Sequence, residues 1–249
     1  PKRIPIGLPE VIEKAPRERF VDFWNAWYRP EKLVVVAVGD FDPAKVEAQI
    51  RATFSPLAAR APALPEPALG AVPAVTGVRT YFHAEPEAPA TSVNISRVQP
   101  YPNEPDTAAT RLKELPRSLA IAMLNRRFSE LAKKEGAPFS SASASVGDSF
   151  KFLREAEVGV TCKPEQWPQA LAVGEQELRR ALEHGFQATE LKEVVATYLN
   201  NLDQAVRMAP TRRSAPLADR IAGTYMGADV FTHPEAGRAL YRPALERVT

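Results

Sequence analysis

Residues 139–162 read FSSASASVGDSFKFLREAEVGVTC, and two runs of alternation in this stretch decide the fold. In the first run Ser141, Ser143 and Ser145 fall on one face and Ala142, Ala144 and Val146 on the other. In the second, Ala156, Val158, Val160 and Cys162 share a face. Period-two alternation is the pattern of a half-buried strand, so the stretch predicts two strands forming a hairpin pair. Small side chains on both faces of the first run permit close approach of a helix or another backbone. Cys162 keeps step with the apolar set and reads as a small core residue rather than a nucleophile. A single cysteine leaves no internal disulfide and no cysteine-rich metal site.

Upstream of the pair, the pattern predicts a long helix from a cap at Asp106 to about Glu135, with Gly136 ending it. Leu112, Leu115, Leu119, Met123, Phe128 and Leu131 form its apolar side, and Pro116 should kink it one turn in. Before that, VRTYFHA (78–84) and TSVNISRV (91–98) read as strands. Downstream, helices are expected at about 165–184, carrying Trp167, Leu171, Leu178 and Leu182, and at about 190–206, carrying Leu191, Val194, Val195, Tyr198 and Leu202. Gly185 separates them, and two more helical stretches lie near 214–227 and 234–248. Strands in antiparallel order covered by helices define an α+β class.

The first 57 residues form a separate piece. A helix with Pro16 in its first turn runs to about Trp27 and is stopped by Pro30. KLVVVAV (32–38) is rich in β-branched residues and reads as a strand. Asp42 then caps a helix with Pro43 at its first position and Val46, Ile50 and Phe54 as its stripe. One strand and two helices cannot close a core, so this piece reads as the tail of a larger domain. Twenty-four of the 249 residues are proline, about twice the usual share. They crowd between Pro56 and Pro105, and the Pro/Ala-rich segment 58–76 reads as an extended linker. The domain reading is therefore 1–57, linker 58–76, and 77–249. The chain starts at Pro1, which reads as a processed chain or an excised piece.

Composition excludes several classes. Hydrophobic residues at 45% and charged residues at 25% describe a globular chain. No apolar run approaches a membrane span. A net charge of +2 without a basic cluster makes nucleic acid a poor partner. The three histidines, His83, His184 and His233, sit in no two-histidine helix motif and read as structural rather than as metal ligands. No phosphate-binding glycine loop and no G-x-S-x-G elbow occurs. The alternating serines read as a packing or solvent face. Glu155/Glu157 and Glu10/Glu13 read as solvated pairs, since nothing gives either pair two contrasting environments. Trp24, Trp27 and Tyr28 could line a groove but read better as packing. From motifs alone the chain carries no catalytic, cofactor-binding or metal-binding residue.

Residues 3–57, RIPIGLPEVIEKAPRERFVDFWNAWYRPEKLVVVAVGDFDPAKVEAQIRATFSPL, resemble a recurrent segment of the pitrilysin/insulinase family of zinc peptidases (inverzincins). The likeness is carried in order by Arg3–Gly7, Tyr28–Pro30 and Gly39–Asp42. Later, LNRRFSELAKKEGAPFSSASAS and HGFQATELKEV resemble stretches of the family's second domain. The likeness is strongest to the long bacterial periplasmic, PqqL-like members. It implies an α/β roll of the pitrilysin or mitochondrial-processing-peptidase type. It also implies a zinc site built from an H-x-x-E-H helix and a downstream glutamate, which in the family precede the Arg3–Gly7 segment and would lie before Pro1. Active members further carry an Arg and a Tyr separated by six residues in a partner domain. With Gly136 aligned to the family glycine, Ala132 and Phe139 occupy those two positions.

The resemblance thus implies a non-catalytic portion of a zinc metalloendopeptidase, forming part of the wall of a peptide-enclosing chamber. Zinc would sit elsewhere in the parent, and the partners would be the remaining peptidase domains and the peptide substrate. The compartment implied is the periplasm. The alternative is a stand-alone binding or scaffold subunit on a decayed peptidase fold, and a free-standing hydrolase is a distant third.

Overall fold

A computed structural model describes residues 6–68, 70–73, 75–88 and 90–248. Arg3 to Pro5 of the quoted segment lie outside the described residues. Two compact units are present, one of Pro1–Leu69 with Arg213–Gly223, the other of Gly70–Arg212 with Thr224–Thr249.

The first unit carries α1 (Pro9–Lys14), α2 (Arg17–Trp27) and α3 (Pro43–Phe54). Pro16 stands one residue earlier than expected, at the N-cap of α2 in extended conformation. Asp42 caps α3 as expected, its carboxylate accepting from the Ala44 and Lys45 amides at 3.0 and 3.4 Å. The expected strand at 32–38 does not form. Leu33–Val38 is paired in no ladder among the described residues, and Leu33, Val34 and Val35 are exposed. Its β-branched run fits a sheet, but a strand is defined by a neighbour's amides and carbonyls, and none is within reach here. Arg29 donates to the Ala61 carbonyl at 2.6 Å and Lys32 bonds Glu66 at 2.6 Å, so the first part of the proline strap is tied to α2's C-terminal end.

The second unit is built on β1 (Thr91–Pro100), α4 (Ala108–Ala132), β2 (Ser141–Ser149) and β3 (Leu153–Cys162). The strands pair antiparallel in the order β1-β3-β2. Helices α5 (Trp167–His184), α6 (Ala188–Met208) and α8 (Pro234–Leu245) complete it, with α7 (Ser214–Gly227) between α6 and α8 in sequence. This is the α+β architecture of helices on an antiparallel sheet, with three strands among the described residues where the sequence led to four after the linker. VRTYFHA forms none: Val78, Tyr81 and Phe82 are 93%, 89% and 86% exposed. Its alternation has no face to bury.

Register makes the core. Ile95, Val158 and Ala144 lie opposite one another across the sheet, and Val93, Val160 and Ala142 form the next rank. All point to the face where Leu124 and Phe128 of α4 and Ala170 of α5 pack, together with Phe139 and Cys162. Ser141, Ser143 and Ser145 of β2 point away and are exposed. Asn125 of α4 accepts from the Ala144 amide at 2.6 Å and donates to its carbonyl at 3.0 Å. A side-chain amide thereby satisfies an edge-strand residue that has no neighbouring strand on that side. On α5, a Cβ at Gly174 would sit 2.9 Å from Val160 Cγ2. A second cluster joins Leu115, Leu119 and Met123 of α4 to Val194 of α6 and Leu245 of α8.

Three helix ends depart from expectation. The cap of α4 is Thr107, whose hydroxyl accepts from the Thr110 amide at 3.1 Å, because Asp106 is engaged by Arg111. The helix passes through Pro116 and ends at Ala132, and Gly136 turns the chain with φ 75° beyond it. The last helix ends at Leu245 rather than 248.

Gly174→Ala should lower the stability of the second unit by about 1–3 kcal/mol in chemical denaturation, because Val160 is rigid and must shift; an unchanged midpoint would show that α5 can ride outward. Brief chymotrypsin treatment should cut first after Tyr81 or Phe82, in the exposed segment between the strap and β1, and a first cut inside α4 would refute that reading.

Candidate functional site

The sequence-singled residues do not converge. His83 lies in the irregular segment before β1, and His184 closes the last turn of α5 ahead of Gly185, which has φ 67°. His233 caps α8, its Nδ1 accepting from the Glu235 amide at 3.3 Å. Among the described residues no group of three or more His, Cys, Asp or Glu side chains could hold a metal ion. Cys162 is buried in the sheet core, and desolvation pushes its thiol up from the ordinary range, away from the reactive thiolate. Trp24 stacks on Tyr28 with ring centroids 3.9 Å apart, and both are exposed.

Ala132 ends α4 and packs on the sheet-side cluster, and Phe139 is 5% exposed within it. Both side chains are turned into the core. Neither presents a polar group to a cavity.

The structure does bring together a cleft that local sequence patterns do not announce. About 420 Å³ opens in the second unit along the N-terminal half of α4, lined also by α6, α8 and the β2–β3 hairpin. Its arginines are already paired. Arg111 donates to both Asp106 oxygens at 2.6 and 2.5 Å, to the Val230 carbonyl at 2.7 Å and to Thr232 Oγ1 at 3.0 Å. Asp106 also accepts from the Val230 amide at 2.8 Å, so this pair clamps the segment before α8. Arg154 is bidentate to Asp148 at 2.5 and 2.8 Å and lies 4.4 Å from the Tyr101 ring centroid. Arg117 pairs with Glu114, and Glu104 with Lys113. Leu115, Leu202, Tyr198, Tyr241 and Asp229 also line it. Sequence reading assigned Asp106 to capping and gave Arg111 no role. Tyr198 was assigned to an apolar stripe. The residues of the clamp stand more than a hundred positions apart, so no spacing rule joins them.

The chain belongs to the Peptidase M16 inactive domain family, whose model matches residues 14–198. It is 23% identical over 250 residues to the probable zinc protease PqqL of Escherichia coli (strain K12), covering 99% of this chain and 26% of that protein. The crystal structure of the first half of the periplasmic protease PqqL from Escherichia coli matches with a TM-score of 0.79 and 22% identity, over 99% of this chain and 52% of that one. A predicted insulinase family protease from Yersinia pestis matches with a TM-score of 0.77 and 16% identity, over 98% and 52%. At these identities the structural likeness is one of fold. The chain spans about a quarter of the length of the Escherichia coli relative.

The cleft's ion pairs set a pH dependence. Hydrogen bonds from Arg111 and Arg154 hold the Asp106 and Asp148 carboxyls below the ordinary aspartate value of 3.8. A carboxyl depressed in the folded state contributes fully above the unfolded value and loses that contribution as pH falls through the folded one. Urea stability should therefore be insensitive to these groups above pH about 5 and fall below pH about 4. In Asp106→Asn the fall should be shallower, and an equally steep fall would show that other carboxyls carry it.

Proposed function

We propose that this chain is a non-catalytic portion of a longer zinc metalloendopeptidase and forms part of the wall of a peptide-enclosing chamber. The observation that carries the reading is the family match over residues 14–198 to a domain described as inactive, on a chain whose candidate polar positions, Ala132 and Phe139, are committed to packing. The zinc-holding histidines and glutamate would belong to other parts of the polypeptide. Residues 1–57 would end a preceding peptidase domain, 58–76 would link, and 77–249 would be the inactive domain itself. The unpaired β-branched segment Leu33–Val38 supports this division, because it has the composition of a sheet strand and no sheet of its own. The name of the Escherichia coli relative adds a periplasmic location and the remaining peptidase domains as partners. A wall acts by size, admitting extended or unfolded chains and excluding folded ones, and needs no chemistry.

The test uses two proteins. The complete polypeptide containing this chain should purify with zinc that a chelator removes, and should cleave an unfolded peptide but not a folded protein. The 249-residue chain alone should show neither zinc nor cleavage. Stoichiometric zinc or cleavage in the isolated chain would overturn the reading.

A further inference from the structure

The cleft along α4 has a charge inventory that points to a ligand class. Arg111, Arg154 and Arg117 are paired with Asp106, Asp148 and Glu114, and Lys113 neutralises Glu104. Asp229 is the remaining carboxylate of the lining, and among the described residues it forms no ion pair. It lies in the field of Arg111 without bonding it, since the Arg111 donors are directed at Asp106, Val230 and Thr232. The phenol hydroxyls of Tyr198 and Tyr241 make no hydrogen bond among the described residues, and Tyr241 lies in the field of the paired Arg111 and Asp106 as well as near Tyr198. Leu115 and Leu202 line the same cleft. With Arg111 already paired to Asp106, one carboxylate outside any ion pair, two phenol oxygens without hydrogen bonds and two apolar lining residues fit a single positive head on an aliphatic stem. An anion finds no free cation here, and a purely apolar group would leave the phenols and Asp229 without partners.

We infer that the cleft is a subsite for a basic side chain, arginine or lysine, of an extended peptide. The stem lies on Leu115 and Leu202. The head is held by Asp229 and accepted by the hydroxyls of Tyr198 and Tyr241. The clamp of Asp106 and Arg111 on Val230 fixes the segment that carries Asp229, so the acceptor is held in place before a ligand arrives. The assignment rests on the reading of the chain as a peptide-facing wall. It deepens that reading by giving the wall a preference among peptides.

The experiment measures fluorescence anisotropy on the intact 249-residue chain with two labelled octapeptides that differ at one central position, arginine in one and its neutral isostere citrulline in the other. The arginine peptide should bind about 5-fold tighter or better at low salt, the yield of one partly exposed ion pair, and the difference should shrink at high salt. Asp229→Asn should abolish the discrimination, and Tyr241→Phe should reduce it while leaving the cleft's shape. Asp229 is exposed, so its replacement leaves the core intact, and thermal melting checks both variants. Glu183→Gln, on the exposed face of α5 outside the cleft, should bind like the parent chain. Equal binding of the two peptides, binding of neither, or full discrimination in Asp229→Asn would each overturn the subsite. None of these depends on zinc or cleavage, so the chamber reading stands or falls on its own measurement.

Discussion

The second unit depends on how closely α5 can lie against β3. Ala170 is fully buried, and one turn later Gly174 faces Val160 with no room for a methyl group. A helix carrying larger residues at these two positions would stand off the sheet by more than an ångström. The rank of Val93, Val160 and Ala142 would then face a gap instead of packed atoms, and dispersion contacts fall off over such distances. Among the described residues one face of this three-stranded sheet carries the core, and no second layer covers the other. The small residues of β2 serve the same end on the neighbouring side, where Ala144 lets α4 come near enough for Asn125 to bond both of its backbone groups.

The remaining helices are held by a few charged contacts at their junctions. Arg127 of α4 is bidentate to Glu190 at 2.5 and 2.8 Å, donates to the Gly185 carbonyl at 3.1 Å and lies 4.6 Å from the Phe186 ring centroid. Phe186 touches both hydrophobic clusters, so one guanidinium fixes the turn between α5 and α6 where the two cores meet. Glu190 also accepts from the Gln187 amide at 2.7 Å, closing the cap of α6. Breaking such a partly buried pair leaves its partner charged and poorly solvated, which costs more than the pair contributes when intact. Arg111 and Asp106 do the same for the segment before α8.

Much of this was legible in the sequence, and the failures share a cause. The hairpin of β2 and β3, the helices from α4 to α8, the Asp42 cap and the core place of Cys162 follow from periodicity and local chemistry, which a short window contains. KLVVVAV and VRTYFHA have the same strand-like composition as TSVNISRV, yet only the last is a strand. What separates them is a partner: β3 lies beside Thr91–Pro100, and nothing comparable lies beside the other two. Pairing is a non-local property and leaves no trace within seven residues. The Thr107 cap was missed for a related reason, since Asp106 is the better local candidate until Arg111 and Val230 claim it. The cleft escaped altogether, because Asp106, Leu115, Tyr198 and Leu202 each had a local reading and the other lining residues come from distant parts of the chain.

Phe139 shows why a polar role is hard to place at positions 132 and 139 of this inactive domain. It sits in the cluster that holds the fully buried Phe128, at the point where the chain leaves Gly136 and enters β2. A tyrosine there would carry its hydroxyl into the core, and an unpaired buried hydroxyl costs about 1–3 kcal/mol. Ala132, partly buried at the end of α4, packs its methyl on the same cluster. A side chain cannot both reach a peptide and fill this core. With both side chains packed on this cluster, the contribution of these two positions is packing. Any contact between this unit and a peptide must then come from a surface that the core does not need.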